Sequence, residues 1–167
     1  MNKRFNTKRV ALCGLLLAMM LILGWIEKQI PSPHPAIKLG LSNSVLIFAV
    51  YMLDIPTAYV LMIFKVFLSN ILFGSLGVTF AMGLAGGAVS LTFMVLISRI
   101  KEMHPVTVSI VGGVMHNVSQ IGMAMWVVKT PGLLVSLPVL MISGMIFGAL
   151  TGICADRVMK YMKHMRF

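Results

Sequence analysis

Acidic side chains are what this chain has least of. Among 167 residues there are four, Glu27, Asp54, Glu102 and Asp156. Each stands at the end of an apolar run or between two runs. That placement excludes several chemistries. No DDxxD-type cluster is present to hold the Mg²⁺ of a diphosphate substrate. No carboxylate lies inside an apolar run to relay a proton or a sodium ion. His116 lies inside one, but no carboxylate is placed to orient it, so no nucleophile–base pair stands out. Cysteine is scarce too. Cys13 and Cys154 form no CxxC pair and share no depth with a histidine, so neither a redox motif nor a metal site is expected. They read as small apolar packing residues. No GxxxxGK[ST] loop is present to cradle a nucleotide. The expectation is a protein without catalytic residues, metal or cofactor, and not an enzyme.

What is abundant is apolar sequence. Hydrophobic residues make up 59% of the chain and charged residues 11%, against about 25% charged in a soluble domain; the mean hydropathy is +0.97. The chain reads as an all-α, polytopic membrane protein. Six spans of about 20 residues leave only short loops. Residues 1–167 therefore form a single six-helix transmembrane domain with no soluble domain attached. The net charge of +10 is placed at the ends, on Lys3, Arg4, Lys8 and Arg9 and on Arg157, Lys160, Lys163 and Arg166. This is the pattern of the positive-inside rule and of contact with anionic lipid; no folded basic surface exists for nucleic acid.

The spans follow in order. The first covers about residues 8–27. It has a basic start, but no A-x-A cleavage site follows and Leu12 spoils a lipobox before Cys13, so an uncleaved span is expected. Ala11, Gly14 and Ala18 share one side of it, and Gly14 and Ala18 form a small-xxx-small pair suited to close helix approach. Internal packing and docking to a partner subunit both remain open for that stripe. Pro31, Pro33 and Pro35 stiffen the following loop, either a lid or a plain connector. The second span covers about 36–53, the third about 56–73 after an Asp54-Ile55-Pro56 turn, and the fourth about 78–97. The fourth is rich in small residues (Gly83, Gly86, Gly87, Ala88, Ser90), which suits close packing, with a bend allowed at Gly86-Gly87. The fifth covers about 104–128. The last covers about 133–159 and carries Gly144, Gly148 and Gly152 at four-residue spacing. Six spans put both termini in the cytoplasm together with Arg99 and Lys101. Trp25 and Trp126 then fall at the outer interface, and Tyr51, Tyr59 and Tyr161 at the inner one.

Polar residues inside these spans carry the functional reading. In the fifth, Gly112-Gly113 precedes His116, Asn117, Ser119 and Gln120, and His116 and Gln120 share a helix face. In the third, Lys65 lies roughly 13 Å from Gly74 by helical rise, with Ser69 continuing its face. Gln120 lies roughly 13 Å below Lys129, level with Lys65. A lysine so deep is either bonded to backbone carbonyls or faces a cavity, and the second is favoured here. Lys38 and Asn43 stand nearer the mouth of the same outer half. Cations and amides without acids suit a small anionic or carbonyl-rich ligand. The expected substrate-binding set is Lys38, Asn43, Lys65, Ser69, His116, Asn117 and Gln120.

Four segments carry a resemblance: Lys38-Leu39-Gly40-Leu41-Ser42-Asn43, Phe73-Gly74-Ser75, Ala85-Gly86-Gly87 and Gly113-Val114-Met115-His116-Asn117-Val118-Ser119-Gln120. In order and over nearly the whole chain, they resemble the bacterial family labelled both Gx transporter and heptaprenyl diphosphate synthase component I. Lys65 stands where that family usually has an arginine, keeping the charge without the bidentate fork. The family in turn resembles the substrate-binding (S) subunits of energy-coupling factor transporters. That resemblance implies a six-span bundle with both termini inside, a small-molecule site near the outer face, and ATPase partners. It also implies docking to a transmembrane coupling subunit through Ala11, Gly14 and Ala18. The nickel and cobalt branch uses an N-terminal histidine, whereas this chain begins Met1-Asn2-Lys3. The alternative the second label implies is a non-catalytic membrane accessory protein in isoprenoid, quinone or flavin-linked redox metabolism.

Overall fold

The computed structural model describes residues 7–29, 41–73, 77–100 and 103–164. All of the secondary structure in them is helical: α1 (Thr7–Gln29), α2 (Leu41–Met52), α3 (Ile55–Leu72), α4 (Val78–Ser98), α5 (Pro105–Val128) and α6 (Leu137–His164), with a short 3-10 helix at Pro131–Ser136. The boundaries follow local chemistry. Asp54 is the N-cap of α3 and Pro56 lies in its first turn, where a missing N–H costs nothing. The Asp54 carboxylate pairs with Arg9, tying the start of α3 to the start of α1. Gly77 opens α4 at φ 107°, a backbone angle that favours glycine. His104 caps α5, its Nδ1 accepting the Val106 N–H at 3.3 Å. At the other end of α6, Asp156 accepts from Lys160 at 2.7 Å and faces His104 at 3.9 Å.

The last helix starts later than the apolar run does. Residues 131–136 are 3-10, and α6 begins at Leu137. Pro138 is the reason. It has no N–H to return to the Leu134 carbonyl, so an α-helix could not run through it unbroken. The Leu137 N–H takes that carbonyl instead, closing the tighter turn. α4, by contrast, stays α-helical through Gly86-Gly87.

Four helical segments are long and apolar enough to cross a membrane: Arg9–Gln29, Ile55–Leu72, Val78–Ser98 and Pro131–Tyr161. Their outward faces carry large apolar side chains, among them Leu15, Ile22, Phe64, Phe67 and Ile146, a surface suited to lipid rather than water. α2 and α5 do not meet that standard, and each has a physical reason. α2 has twelve described residues and is enclosed: it touches all five other helices, and Val45, Leu46, Ile47, Phe48 and Ala49 are buried in succession. A helix apolar all round belongs inside a bundle. α5 loses apolarity to its polar residues, and α4 and α6 flank it as its two principal neighbours.

Candidate functional site

The polar residues of α5 divide between two seams. Toward α4, His116 and Gln120 lie one turn apart with Nε2 atoms 2.9 Å from each other. An amide NH₂ only donates, so with the amide so oriented His116 Nε2 accepts and Nδ1 carries the ring proton. Gly86 makes room for this pair. A Cβ there would come within 2.8 Å of Gln120 Cγ and 2.9 Å of the His116 ring. One turn away, Ser90 Oγ donates to the Gly112 carbonyl at 2.8 Å. Toward α6, Asn117 Nδ2 donates to the Leu140 carbonyl at 2.7 Å, and the Ser109 and Thr151 hydroxyls meet at 3.1 Å. His116, Asn117 and Gln120 are all buried. Such interhelical bonds, in place of exposure to lipid, are how polar side chains persist in a membrane bundle.

Glycines bring these backbones together. A Cβ on Gly113 would lie 2.5 Å from the Gly144 carbonyl oxygen, and one on Gly148 would lie 2.8 Å from Ile110 Cα. Gly152 meets Val106 in the same way. The α5–α6 seam is therefore backbone against backbone.

α3 presents a separate arrangement. Lys65 is half-buried, on the face it shares with Ala58, Leu61 and Ser69. Asn70 is buried on another flank, next to Gly83 of α4, and its Nδ2 donates to the Val66 carbonyl at 2.7 Å. Among the described residues α3 and α5 do not meet; α4 runs between them, with Gly83 and Gly87 against α3 and Gly86 and Ser90 against α5. The expected site residues are thus partly brought together. His116 and Gln120 are bonded. Asn117 is adjacent in sequence but turned to α6. Lys65 and Ser69 lie across α4. Lys38 and the Asn43 side chain fall outside the described residues.

Asn70 lies off the Lys65 face but in register with Met62 and Val66, which are buried against α4, and that register is the sequence signal for its burial. Ser109 and Thr151 went unnoticed because a lone hydroxyl within an apolar run has no pattern of its own.

The α1 stripe has a clear environment. Ala11, Gly14 and Ala18 are all exposed, and a Cβ on Gly14 would meet nothing within 4 Å. Internal packing, one of the two readings open from sequence, is not what these residues do among the described residues.

A family model described as heptaprenyl diphosphate synthase component I matches residues 16–158 of the chain. No curated protein matches it, and no solved structure does.

Proposed function

The chain belongs to the heptaprenyl diphosphate synthase component I family, and we propose that it acts there as a non-catalytic, substrate-binding membrane subunit, comparable to the S components of energy-coupling factor transporters. In this reading six helices cross the cytoplasmic membrane with both termini inside. A small anionic or carbonyl-rich solute binds in the outer half, and partner subunits with an ATPase supply the energy that a chain without a nucleotide loop cannot. The observation that carries the reading is the α1 stripe. Small residues that let a helix approach closely are exposed and unfilled, which suits docking by another transmembrane helix.

Two further features support it. The shelter of α2 and α5 inside the bundle removes the need for either to face lipid along its whole length, so both can cross despite their length or polarity. Arg9 at the start of α1, Arg99 after α4 and Arg157 and Lys160 near the end of α6 fall at one end of the bundle, and Trp25 and Trp126 at the other, which supports this orientation. For the solute, Lys65 supplies a cation and Ser69 a hydroxyl on the α3 side of α4, with Lys38 and Asn43 toward the mouth; the His116–Gln120 pair lies on the other side of α4 and is a separate polar contact. Asn117 serves the α5–α6 seam.

The test is isolation of the intact complex from native membranes, with identification of its subunits and of any retained small molecule. ATP-hydrolysing subunits and a transmembrane coupling protein are expected. Lys65→Met removes a half-buried cation whose hydrogen bond to an anionic solute is worth about 1.5–3 kcal/mol; it should weaken solute retention by about tenfold or more while the fold persists. Unchanged retention would remove Lys65 from the site.

The family description favours a second reading, an accessory membrane subunit of prenyl diphosphate synthesis. The four scattered acids leave the metal-dependent chemistry to another chain. Recovery of a prenyl synthase in place of ATPase subunits would establish this reading against the first.

A further inference from the structure

An apolar cavity of about 320 Å³ opens on the outside of the bundle between α1, α2 and α6. Its walls include Leu12, Leu15 and Met19 of α1, Phe48 of α2, and Cys154 and Val158 of α6. Thr151, the one hydroxyl in the lining, already bonds Ser109 and the Gly148 carbonyl. The wall therefore offers a ligand no free hydroxyl.

Shape decides what fits. The α1 wall runs from Leu12 to Leu23, roughly 16 Å by helical rise. A volume of about 320 Å³ drawn out along that length suits a single extended hydrocarbon chain, with its methylenes against apolar walls. The length also matches about half of a 30 Å hydrocarbon core, which is one leaflet.

Charge decides which chain. The last α6 residue in the wall is Val158, and the residue before it is Arg157, which is exposed and has no ion-pair partner among the described residues. The Asp156 carboxylate beside it is held by Lys160 and faces His104. A guanidinium on a flexible stem at that depth reaches the headgroup layer, where anionic phosphates attract it.

We propose that this groove holds one chain of an anionic phospholipid from the leaflet on the side of the termini, with Arg157 at its phosphate. The site goes beyond the solute-binding reading and does not depend on it. The lipid lies against the wall of α1 that adjoins the exposed Ala11–Gly14–Ala18 stripe, so it borders the surface a partner would use.

The experiment is native mass spectrometry of the purified, delipidated protein after exposure to phosphatidylglycerol and phosphatidylcholine with identical chains. One tightly retained phosphatidylglycerol is expected. Cys154→Trp and, independently, Leu15→Trp place an indole in the groove from exposed wall positions that tolerate bulk. Each should lower retention by at least about tenfold, because several methylenes lose their buried contact. Arg157→Gln should keep a lipid but erase the preference between headgroups. The proposal is overturned if the unmodified protein retains no lipid, or if both Trp variants keep their thermal unfolding temperature and still retain phosphatidylglycerol fully. A preference for phosphatidylglycerol that survives Arg157→Gln, or preferential retention of an added polyprenyl diphosphate, would likewise overturn it.

Discussion

Two faces of small residues in this molecule meet opposite fates. On α5 and α6, Gly113, Gly144, Gly148 and Gly152 draw two backbones so close that no side chain could be added without moving one of them. On α1, Gly14 and Ala18 are four apart like the α6 glycines, and with Ala11 they face outward, with open space beyond Gly14. One face is filled within the chain, and the other is left open among the described residues. Small residues make close approach available; what fills the opening depends on which helix stands opposite.

Substitutions on the two faces should have very different costs. The largest effect belongs to the α5–α6 seam. Gly113→Leu drives a side chain into the Gly144 carbonyl, and backbone must move, so stability should fall by about 3 kcal/mol or more, read from unfolding in detergent. Gly86→Ala is intermediate. The new methyl meets the ends of Gln120 and His116 rather than backbone, so a cost of about 1–2 kcal/mol is expected, with a change in His116 ring resonances as their bond is displaced. Asn117→Leu removes the donor to the Leu140 carbonyl. It should cost about 1 kcal/mol, which separates hydrogen bonding from packing in the same seam. The smallest effect on the isolated protein belongs to α1, where Gly14→Leu together with Ala18→Leu should change stability by less than about 0.5 kcal/mol.

Much of the fold was legible in the sequence, because apolar runs bounded by prolines, glycines and charges fix where helices lie. The Asp54–Pro56 turn and the α4 start at Val78 follow from that punctuation. The last span agrees with the expected 133–159, but its 3-10 opening turn is not legible in hydropathy, because Pro138 acts through a single backbone bond, from Leu137 to Leu134. The candidate site was legible in depth but not in direction. His116 and Asn117 are neighbours in sequence, yet about 100° apart around α5, so they face different helices. Helix order around the bundle decides which helices those are. The same limit applies to Lys65, level with Gln120 along the helix axes but separated from it by α4. The fate of the small-residue stripes was illegible for the same reason.

Docking through the α1 stripe stands or falls on the behaviour of a single variant. The Gly14→Leu, Ala18→Leu double variant is expressed in its native membranes, isolated, and compared with the unmodified chain for thermal unfolding and for co-purifying subunits. An unchanged unfolding temperature together with loss of the partner subunits is expected. A double variant that still brings down its partners in full, or one that unfolds like Gly113→Leu, would contradict it.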